Sequence, residues 1–301
     1  MIAETDARAA EDQPRLLYIM GTARSGTTVL QVLLGQSPGV SSAGELSHIF
    51  RDGFVQDSEC SCGRRTSECA FWTAVREGLP GSREEMERRN RLVRSVEWHA
   101  AFPALAAGMV PAGRWRSYCD LQRHLLRAVA RASGADTIVD DSIYPGRALA
   151  LDRCLPGRVA VICLLRSPGG LQSAFSRPNR DEQRPKSAFA ALAYYVWVAL
   201  SVRVTLWRLR GPVLRLTFED LRRDPEGVMD RIETWSGLDL GDVRRGLQVG
   251  ESFPVGHVVT GNRLRQRGAV RFQRGLEPVR LPLGRRLASW LMLAVRWLLR
   301  L

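Results

Sequence analysis

The sequence predicts an α/β protein in which helices cover both faces of a parallel central sheet. Two observations support this fold class: short, continuous apolar runs recur along the chain, and helical patterns separate them. A continuous apolar run is typical of a parallel strand that is buried on both faces, and a helix is the usual connection between two such strands. A glycine-containing turn after the first run adds a P-loop-like anion-binding loop to this architecture.

The apolar runs define four strands, over residues 16–20, 137–139, 159–165 and 213–218. Helical periodicity predicts helices over residues 27–34, 117–132, 187–210 and 225–235. The last of these begins at Asp224 and Pro225, because aspartate is a preferred helix cap and proline fits the first helical position. Strands and helices therefore alternate, as a parallel sheet requires.

The chain of 301 residues is long enough for two domains, but one large α/β domain fits its pattern equally well. Residues 1–14 are expected to form a flexible N-terminal tail, and residues 15–301 a single domain. Residues 52–115 are rich in Arg, Gly and Cys and do not follow the strand–helix alternation. We interpret them as an insertion over the ligand side of the sheet.

The charge of the chain indicates anionic partners. The sequence has 44 Lys+Arg and 31 Asp+Glu, a formal net charge of +13, which suits nucleic acid, phosphorylated small molecules or an anionic membrane. Nucleic acid is disfavoured because the arginines are scattered and not aligned with stacking aromatic side chains. The acidic N-terminus lacks signal-peptide features, so we expect a cytoplasmic protein with reduced thiols and no disulfide framework.

The loop after the first strand has the residues of a phosphate cradle. Residues 21–28 read GTARSGTT, and the two glycines have P-loop spacing. Backbone N–H groups in such a turn and the start of the following helix favour an anion. The lysine that an NTPase needs after the second glycine is Thr27, and Arg24 is the only cation. The loop therefore predicts a phosphate site that does not use Mg-ATP in the usual way.

This loop resembles the 5′-phosphosulfate-binding loop of the PAPS-dependent sulfotransferases. PAPS is 3′-phosphoadenosine 5′-phosphosulfate, and the resemblance covers residues 18–30 (YIMGTARSGTTVL). It implies that Arg24 stabilises the charge that develops on the leaving phosphate. It also implies that the 5′-phosphate is held by Ser25, Gly26, Thr27 and Thr28.

Two later elements resemble the 3′-phosphate site of the same family. Residues 161–168 (VICLLRSP) are similar to a strand-to-loop element that implies Arg166 as the phosphate ligand, and a guanidinium fork suits phosphate. The family's serine usually follows eight residues later, where this chain has Ala174; Ser173 is the candidate, with Ser176 as the alternative. Residues 261–268 (GNRLRQRG) are similar to a late loop over that phosphate and imply Arg265, Arg267 and Gly268, with a solvated loop as the alternative.

The family pattern also implies a base near the transferred group. Sulfuryl transfer resembles phosphoryl transfer, so positioning and charge stabilisation dominate. Glu45 is the candidate general base, with His48 as the weaker candidate and helix capping as the structural alternative for Glu45. Residues 139–145 (VDDSIYP) resemble the family's D-x-S-K strand end, which implies that Ser142 faces the sulfuryl group. The usual lysine is Ile143.

The resemblance covers residues 15–50 and 135–270. It implies a sulfotransferase that moves the sulfuryl group of PAPS to a hydroxyl of a small-molecule, lipid or carbohydrate acceptor, with no metal required. Two alternatives stay open. One is a P-loop kinase of small molecules or nucleotides; the other is a non-catalytic, sulfotransferase-like nucleotide-binding protein, which the loss of a cation at Ile143 suggests.

Three cysteines lie within ten residues: Cys60, Cys62 and Cys69. A C-x-C pair with a third cysteine forms part of a zinc site if Cys119 or a histidine completes four ligands. A disulfide, or free packed thiols, are the alternatives.

The C-terminal segment, residues 284–301, has the pattern of an amphipathic helix. Arginines and two tryptophans, Trp290 and Trp297, stand among leucines, which suggests peripheral contact with an anionic membrane surface. Packing on the domain or on a second subunit is the alternative. The apolar stretch of residues 188–202 is shorter than the roughly 20 residues of a spanning helix, so we expect a buried helix there.

Overall fold

The computed structural model of the chain describes residues 13–177, 185–260, 268–276 and 278–301. Its centre is a parallel five-stranded sheet with the strand order β2-β3-β1-β4-β5. The strands are β1 (Arg15–Gly21), β2 (Val40–Ser42), β3 (Thr137–Ile143), β4 (Val159–Leu165) and β5 (Val213–Thr217). The predicted parallel sheet is confirmed. The sequence missed β2, because its three residues, Val-Ser-Ser, form no apolar run.

Helices connect the strands and cover both faces of the sheet, as predicted. They are α1 (Thr27–Leu34), α2 (Ala70–Glu77), α3 (Arg83–Glu97), α4 (Phe102–Ala106), α5 (Ala112–Ser133), α6 (Pro145–Cys154), α7 (Pro168–Ser176), α8 (Ala188–Arg208), α9 (Phe218–Arg223), α10 (Pro225–Ser236), α11 (Gly241–Val249) and α12 (Leu283–Leu298). A 3₁₀ turn (Leu46–His48) and a π-helical segment (Ile49–Val55) follow β2, and an antiparallel pair, β6 (Ser252–Pro254) and β7 (Ala269–Arg271), lies near the C-terminus. Asp224 caps α10 as predicted, its side chain accepting from the N–H of Gly227.

The alternation of β1 divides the core into two layers. Leu16, Tyr18 and Met20 face a layer formed with α2, α3, α5 and α6, whereas Leu17 and Ile19 face a layer formed with α1, α10 and α11. Both sets are almost completely buried. Because both faces of β1 are buried, its sequence is a continuous apolar run and does not alternate between apolar and polar residues.

The predicted insertion, residues 52–115, folds into the end of the π-helical segment, α2, α3, α4 and the beginning of α5. Its apolar side chains, among them Trp72, join the same core layer as Tyr18 of β1. The predicted tail lies outside the described residues up to residue 12, and its last two residues are buried.

One expectation from the cysteine content is wrong. Cys119 of α5 and Cys154 at the end of α6 form a disulfide that closes a separation of 35 residues. The two helices pack side by side in the same core layer, which brings the two thiols together. Cys119 is therefore not available as the fourth ligand of a metal site, and the other four cysteines are free thiols.

The long apolar helix α8 and the C-terminal helix α12 are only partly buried. Within the described chain, α8 is long and apolar enough to cross a membrane by length and composition, and 39% of its most apolar stretch is buried. The C-terminal helix α12 packs on α7 and α8 through Ala288 and Met292, so the predicted docking on the domain is present. Trp290 and Trp297 on its other faces are exposed. Contact of these tryptophans with a membrane stays a prediction.

Candidate active site

The phosphate loop, residues 21–26, leaves β1 at the carboxyl edge of the sheet and enters α1. Gly26 has a φ of +84° and lies against Phe218, where an added Cβ would be 2.6 Å from the aromatic ring. A Cβ at Gly21 would be 2.3 Å from the carbonyl oxygen of Leu164 on β4. Both glycines are thus required by close contacts, and Gly26 also by its positive φ. They let the loop pass close to the end of β4 and to the first residue of α9.

The loop presents donors to an anion at the start of α1. The carbonyl of Gly26 accepts from the N–H groups of Val29 and Leu30, both at 3.1 Å, so hydrogen bonding within the helix begins with these residues. The N–H groups of Thr27 and Thr28 precede them and belong to the unpaired first turn, which carries the positive end of the helix dipole. No acidic side chain occupies that turn. The geometry suits a phosphate.

Arg24 and Arg166 meet at this loop. Arg24 has a φ of +70° and is half-buried, and its guanidinium has no hydrogen bond or ion pair within the described parts of the chain. Nη1 of Arg166 donates to the carbonyl oxygen of Arg24 at 2.7 Å. The end of β4 is therefore attached to the phosphate loop by the same arginine that the sequence assigns to the 3′-phosphate.

The remaining contacts of Arg166 leave its buried Nε without a hydrogen-bond partner among the described residues. Its guanidinium lies 4.4 Å from the centre of the Phe218 ring. A Cβ at Gly170 would be 2.9 Å from Nε, so the glycine leaves room for the arginine. Ser167 caps α7 and donates its N–H to the Glu219 carboxylate. A buried, charged donor without a partner at the end of a parallel strand, where α/β sheets bind their ligands, is a candidate for contact with an anion.

The other predicted 3′-phosphate residues are placed only in part. Ser173 is half-buried on α7. Its carbonyl accepts from the hydroxyl of Ser176 at 2.7 Å, so the hydroxyl of this alternative serine already has a partner. Gly268, with a φ of +68°, directly precedes β7. Arg265 and Arg267 lie outside the described residues, so their assignment stays a prediction.

Glu45 follows a loop that α1 holds in place. The Gln31 side chain accepts from the hydroxyl of Ser42 at 2.6 Å and from the N–H of Gly44 at 3.2 Å. The hydroxyl of Thr260 donates to the carbonyl oxygen of Glu45 at 2.9 Å. These contacts hold the segment after β2 against α1 and against Thr260. The role of Glu45 as a base stays a prediction.

The Glu45 carboxylate stands beside two titratable groups. Its Oε2 lies 3.6 Å from Nε2 of His48, which in turn is 3.3 Å from the hydroxyl of Tyr144. Burial, and then the charge of Arg51, lower the pKa of His48 to about 4, so the imidazole is neutral near pH 7. Burial and the negative charge of Glu45 raise the pKa of Tyr144. His48 and Tyr144 are therefore neutral neighbours of Glu45 near pH 7.

An aromatic wall, formed by His99, Tyr144 and Tyr194, joins the Glu45 cluster to the phosphate loop. The ring of His99 makes edge contacts with those of Tyr144 and Tyr194, at centroid distances of 5.3 and 6.1 Å. The hydroxyl of Tyr194 accepts from the N–H of Ala23 in the phosphate loop at 3.1 Å. No role was predicted for these three residues. They come from three distant segments, and although Tyr144 stands within residues 139–145, the pattern there points to Ser142 and not to the tyrosine.

Ser142 is completely buried, and its hydroxyl has two partners. It donates to the Asp140 carboxylate and accepts from the N–H of Ser47 at 3.0 Å, next to the Glu45 segment. Asp140 is itself paired with the buried Arg147, whose second partner is Glu97. In this arrangement Ser142 positions the chain around Glu45; its contact with a sulfuryl group stays a prediction.

Ile143 stands where the family has lysine, and its backbone is strained. Its φ is +62°, and the N–H of Tyr144 donates to the carbonyl of Ser142 at 2.8 Å, which is the hydrogen bond of a γ-turn. A β-branched residue rarely adopts this conformation. The turn carries Tyr144 out of β3 toward His48, so the strain lies at the point where the aromatic wall begins.

Asp141 adds a buried carboxyl group beneath the phosphate loop. Burial, and then the charge of Asp140, raise its pKa to about 7, while the nearby Thr28 and Thr27 side chains lower it again in part. A charged carboxylate under an anion site would repel a phosphate. Near pH 7 the Asp141 carboxyl is therefore partly protonated, and only its charged form would repel a phosphate.

A profile of the "Sulfotransferase family" matches residues 15–242. The sulfotransferase domain from the curacin biosynthetic pathway is similar in structure, with a TM-score of 0.52 at 16% identity over 93% of this chain and 96% of that chain. Also similar are the sulfotransferase domain of the Synechococcus PCC 7002 olefin synthase (TM-score 0.45, 20% identity, 93% and 95% covered) and sulfotransferase STF1 from Mycobacterium tuberculosis H37Rv (0.48, 15%, 80% and 73%). No curated protein matches the chain.

Proposed function

Because the chain belongs to the sulfotransferase family, we propose that it transfers the sulfuryl group of PAPS to a hydroxyl group of a small-molecule, lipid or carbohydrate acceptor. The observation that carries the proposal is the attachment of Arg166 to the phosphate loop through the carbonyl of Arg24. PAPS carries phosphate at both the 3′ and the 5′ position of its ribose. One arginine thus links the two places where these phosphates need positive charge. An ATP-like donor lacks the 3′-phosphate and gives the orphaned Nε of Arg166 no partner.

The residues divide the chemistry between them. The first turn of α1 holds the 5′-phosphate, and Arg24, which has no partner among the described residues, neutralises the charge that develops on the leaving group. The acceptor oxygen forms its bond to sulfur as the bond from sulfur to the phosphate oxygen breaks, and the electron pair leaves with 3′-phosphoadenosine 5′-phosphate. Glu45 takes the proton of the acceptor hydroxyl.

The neutral state of His48 supports this assignment. A protonated His48 would form an ion pair with Glu45 and reduce its basicity, but the buried imidazole has a pKa of about 4. The aromatic wall supplies an apolar side to the acceptor position, next to the Glu45 carboxylate. Such a surface suits an acceptor with an apolar body and one hydroxyl.

A second candidate function is nucleotide binding without transfer. The observation that favours it is the apolar Ile143 at the end of β3, where the family pattern has a lysine. The two candidates agree on the nucleotide and differ in whether transfer occurs. A third candidate function is that of a kinase, which predicts that the protein prefers ATP to 3′-phosphoadenosine 5′-phosphate.

Calorimetric titration with 3′-phosphoadenosine 5′-phosphate tests the nucleotide, with AMP and ATP as comparison ligands. We expect binding that needs the 3′-phosphate and that weakens roughly 30-fold in Arg166→Ala, the equivalent of ~2 kcal/mol for a lost charged hydrogen bond. Arg131→Ala removes the same charge from an exposed position on α5 and should bind as the wild type does. Equal or tighter binding of ATP contradicts the proposal and favours a kinase.

A further inference from the structure

A second group of reactive side chains lies apart from the residues of the phosphate loop. It consists of Cys60, Cys62, Cys69 and His257, and one ligand atom from each lies within 4.8 Å of all the others. The Sγ atoms of Cys60 and Cys69 are 3.8 Å apart. Nδ1 of His257 is 3.3 Å from the Sγ of Cys69 and 3.9 Å from that of Cys60.

These distances match the edges of a zinc tetrahedron. Zn–S bonds of about 2.3 Å and Zn–N bonds of about 2.0–2.1 Å place two sulfur ligands about 3.8 Å apart, and a sulfur and a nitrogen about 3.6 Å apart. We propose that Cys60, Cys62, Cys69 and His257 bind one Zn²⁺ ion in a closed, structural site. Binding is a coordination step without redox change: the three thiols release three protons, and the neutral imidazole supplies the fourth ligand.

The chain builds this cluster from a tight turn and a helix start. The N–H of Cys60 donates to the carbonyl of Arg64, and the N–H of Gly63 donates back to the carbonyl of Cys60, with a φ of +81° at the glycine. This turn projects Cys60 and Cys62 toward one point. Cys69 directly precedes α2. The C-x-C spacing and the third cysteine are therefore brought together by local structure.

The histidine comes from a segment almost 200 residues later, and hydrogen bonds align it with the turn. The N–H of Ser61 donates to the carbonyl of Val258 at 2.9 Å, and the N–H of Val258 donates back to the Ser61 hydroxyl at 2.8 Å. These two hydrogen bonds hold the segment that carries His257 beside the cysteine turn. This long-range pairing is why the sequence left the fourth ligand open.

The surroundings of His257 orient its ring. The imidazole stacks on Phe71, with an interplanar angle of 8° and a centroid distance of 5.2 Å, and Nε1 of Trp72 donates to the His257 carbonyl at 3.0 Å. Fixed ligand orientation by neighbouring groups is characteristic of built metal sites. Cys60 and Cys69 are buried whereas Cys62 is exposed, and a cleft of about 530 Å³ reaches Phe71 and His257. An ion therefore has a path into the cluster.

The position of the site indicates what the ion would stabilise. His257 lies on the segment between β6 and the late loop, and three residues later Thr260 donates to the carbonyl of Glu45. The side chain of Val258 also lies against Gly44, where an added Cβ would be 2.7 Å away. One Zn²⁺ ion would thus connect the insertion, the late segment and the loop that carries Glu45. It would not take part in sulfuryl transfer.

Metal analysis of the full-length protein, purified without chelators and supplied with zinc during expression, tests the site. We expect about one zinc per chain, and replacement by Co²⁺ should give the thiolate charge-transfer and intense d–d bands of a tetrahedral sulfur site. His257→Ala and Cys62→Ser should lose the metal, and Cys62→Ser, an exposed position, should still fold. Cys163→Ala is the matched control, because Cys163 is a free cysteine on β4 outside the cluster.

Two results would overturn the proposal. One is folded wild-type protein that holds less than ~0.2 zinc per chain, because structural zinc binds tightly. The other is a disulfide between any two of the three cysteines, found by mass spectrometry of the alkylated, non-reduced protein. Two further measurements compare the wild type with and without a chelator. Chelation should make Cys62 react quickly in a thiol titration, and it should lower the melting temperature. Neither measurement depends on nucleotide binding or on transfer.

Discussion

The nucleotide side and the acceptor side of the candidate site are built in different ways. The nucleotide side consists of the phosphate loop and the end of β4, two short segments whose donors are mainly backbone N–H groups and adjacent arginines. The acceptor side consists of Glu45, His48 and the aromatic wall, which meet only after the chain has folded. A local segment can specify an anion site by itself, whereas an acceptor surface needs tertiary packing. Variants that separate the two sides test this division.

The largest effect is expected at Glu45. In Glu45→Gln the acceptor hydroxyl loses its base, so transfer should fall roughly 10²- to 10⁴-fold, measured with radiolabelled PAPS and a panel of alcohols and phenols. Binding of 3′-phosphoadenosine 5′-phosphate should stay unchanged, because the nucleotide side keeps all its donors. Glu68→Gln, an exposed position outside the site, is the control. Equal loss of binding and transfer would show that the two sides do not act separately.

The next effect concerns the buried charge network beneath the acceptor side. Arg147 is completely buried between Asp140 and Glu97, whose carboxylates outweigh the effect of burial and raise the pKa of the guanidinium. Arg147→Met leaves both carboxylates without their cation, so the free energy of unfolding should fall by about 3–5 kcal/mol in urea titrations. Arg153→Met, on the same helix but partly exposed, should cost much less.

Arg147→Met also tests whether the buried charge network positions Glu45 on the acceptor side. Asp140 holds Ser142, and Ser142 accepts from the N–H next to the Glu45 segment. At a temperature where the variant remains folded, transfer should therefore fall more than nucleotide binding does. A proportionate loss of both would contradict a role in positioning Glu45.

The sequence predicted where the phosphate loop and the end of β4 lie in the fold, for a physical reason. A glycine loop after an apolar run, and an arginine at the end of another, are local patterns whose geometry follows from the parallel sheet. Arg24 and Arg166 were therefore found. His99, Tyr144 and Tyr194 were not, because their contacts depend on where α3 and α8 pack. His257 was missed as a cluster member for the same reason, and the Cys119–Cys154 disulfide because its two helices are paired only in the folded chain.

A smaller effect is expected from the carboxyl group beneath the phosphate loop. Burial raises the pKa of Asp141 from 3.8 to about 7, so the folded state holds its proton more tightly than the unfolded state. This contribution to stability is fully present below pH 4, declines as the pH rises and is lost above pH 7. Asp141→Asn should remove the decline and stabilise the protein at about pH 8 by up to about 4 kcal/mol, because each unit of the pKa shift corresponds to about 1.4 kcal/mol.

Urea titrations at about pH 5 and about pH 8 check this expectation. Asp120→Asn, an exposed carboxylate on α5, is the control and should retain the pH dependence of the wild type. An Asp141→Asn variant with the same decline as the wild type would show that another group titrates in this range.

The smallest effect is expected where the two sides touch. The hydroxyl of Tyr194 accepts from the N–H of Ala23, and this hydrogen bond links the aromatic wall directly to the phosphate loop. Tyr194→Phe leaves the amide without this partner, so stability should fall by about 1 kcal/mol and nucleotide binding should weaken a few-fold. Tyr195→Phe, at the next position of α8, keeps the link and should change neither. If Tyr194→Phe altered transfer but not nucleotide binding, the wall would act on the acceptor alone, and the boundary between the two sides would lie at the phosphate loop itself.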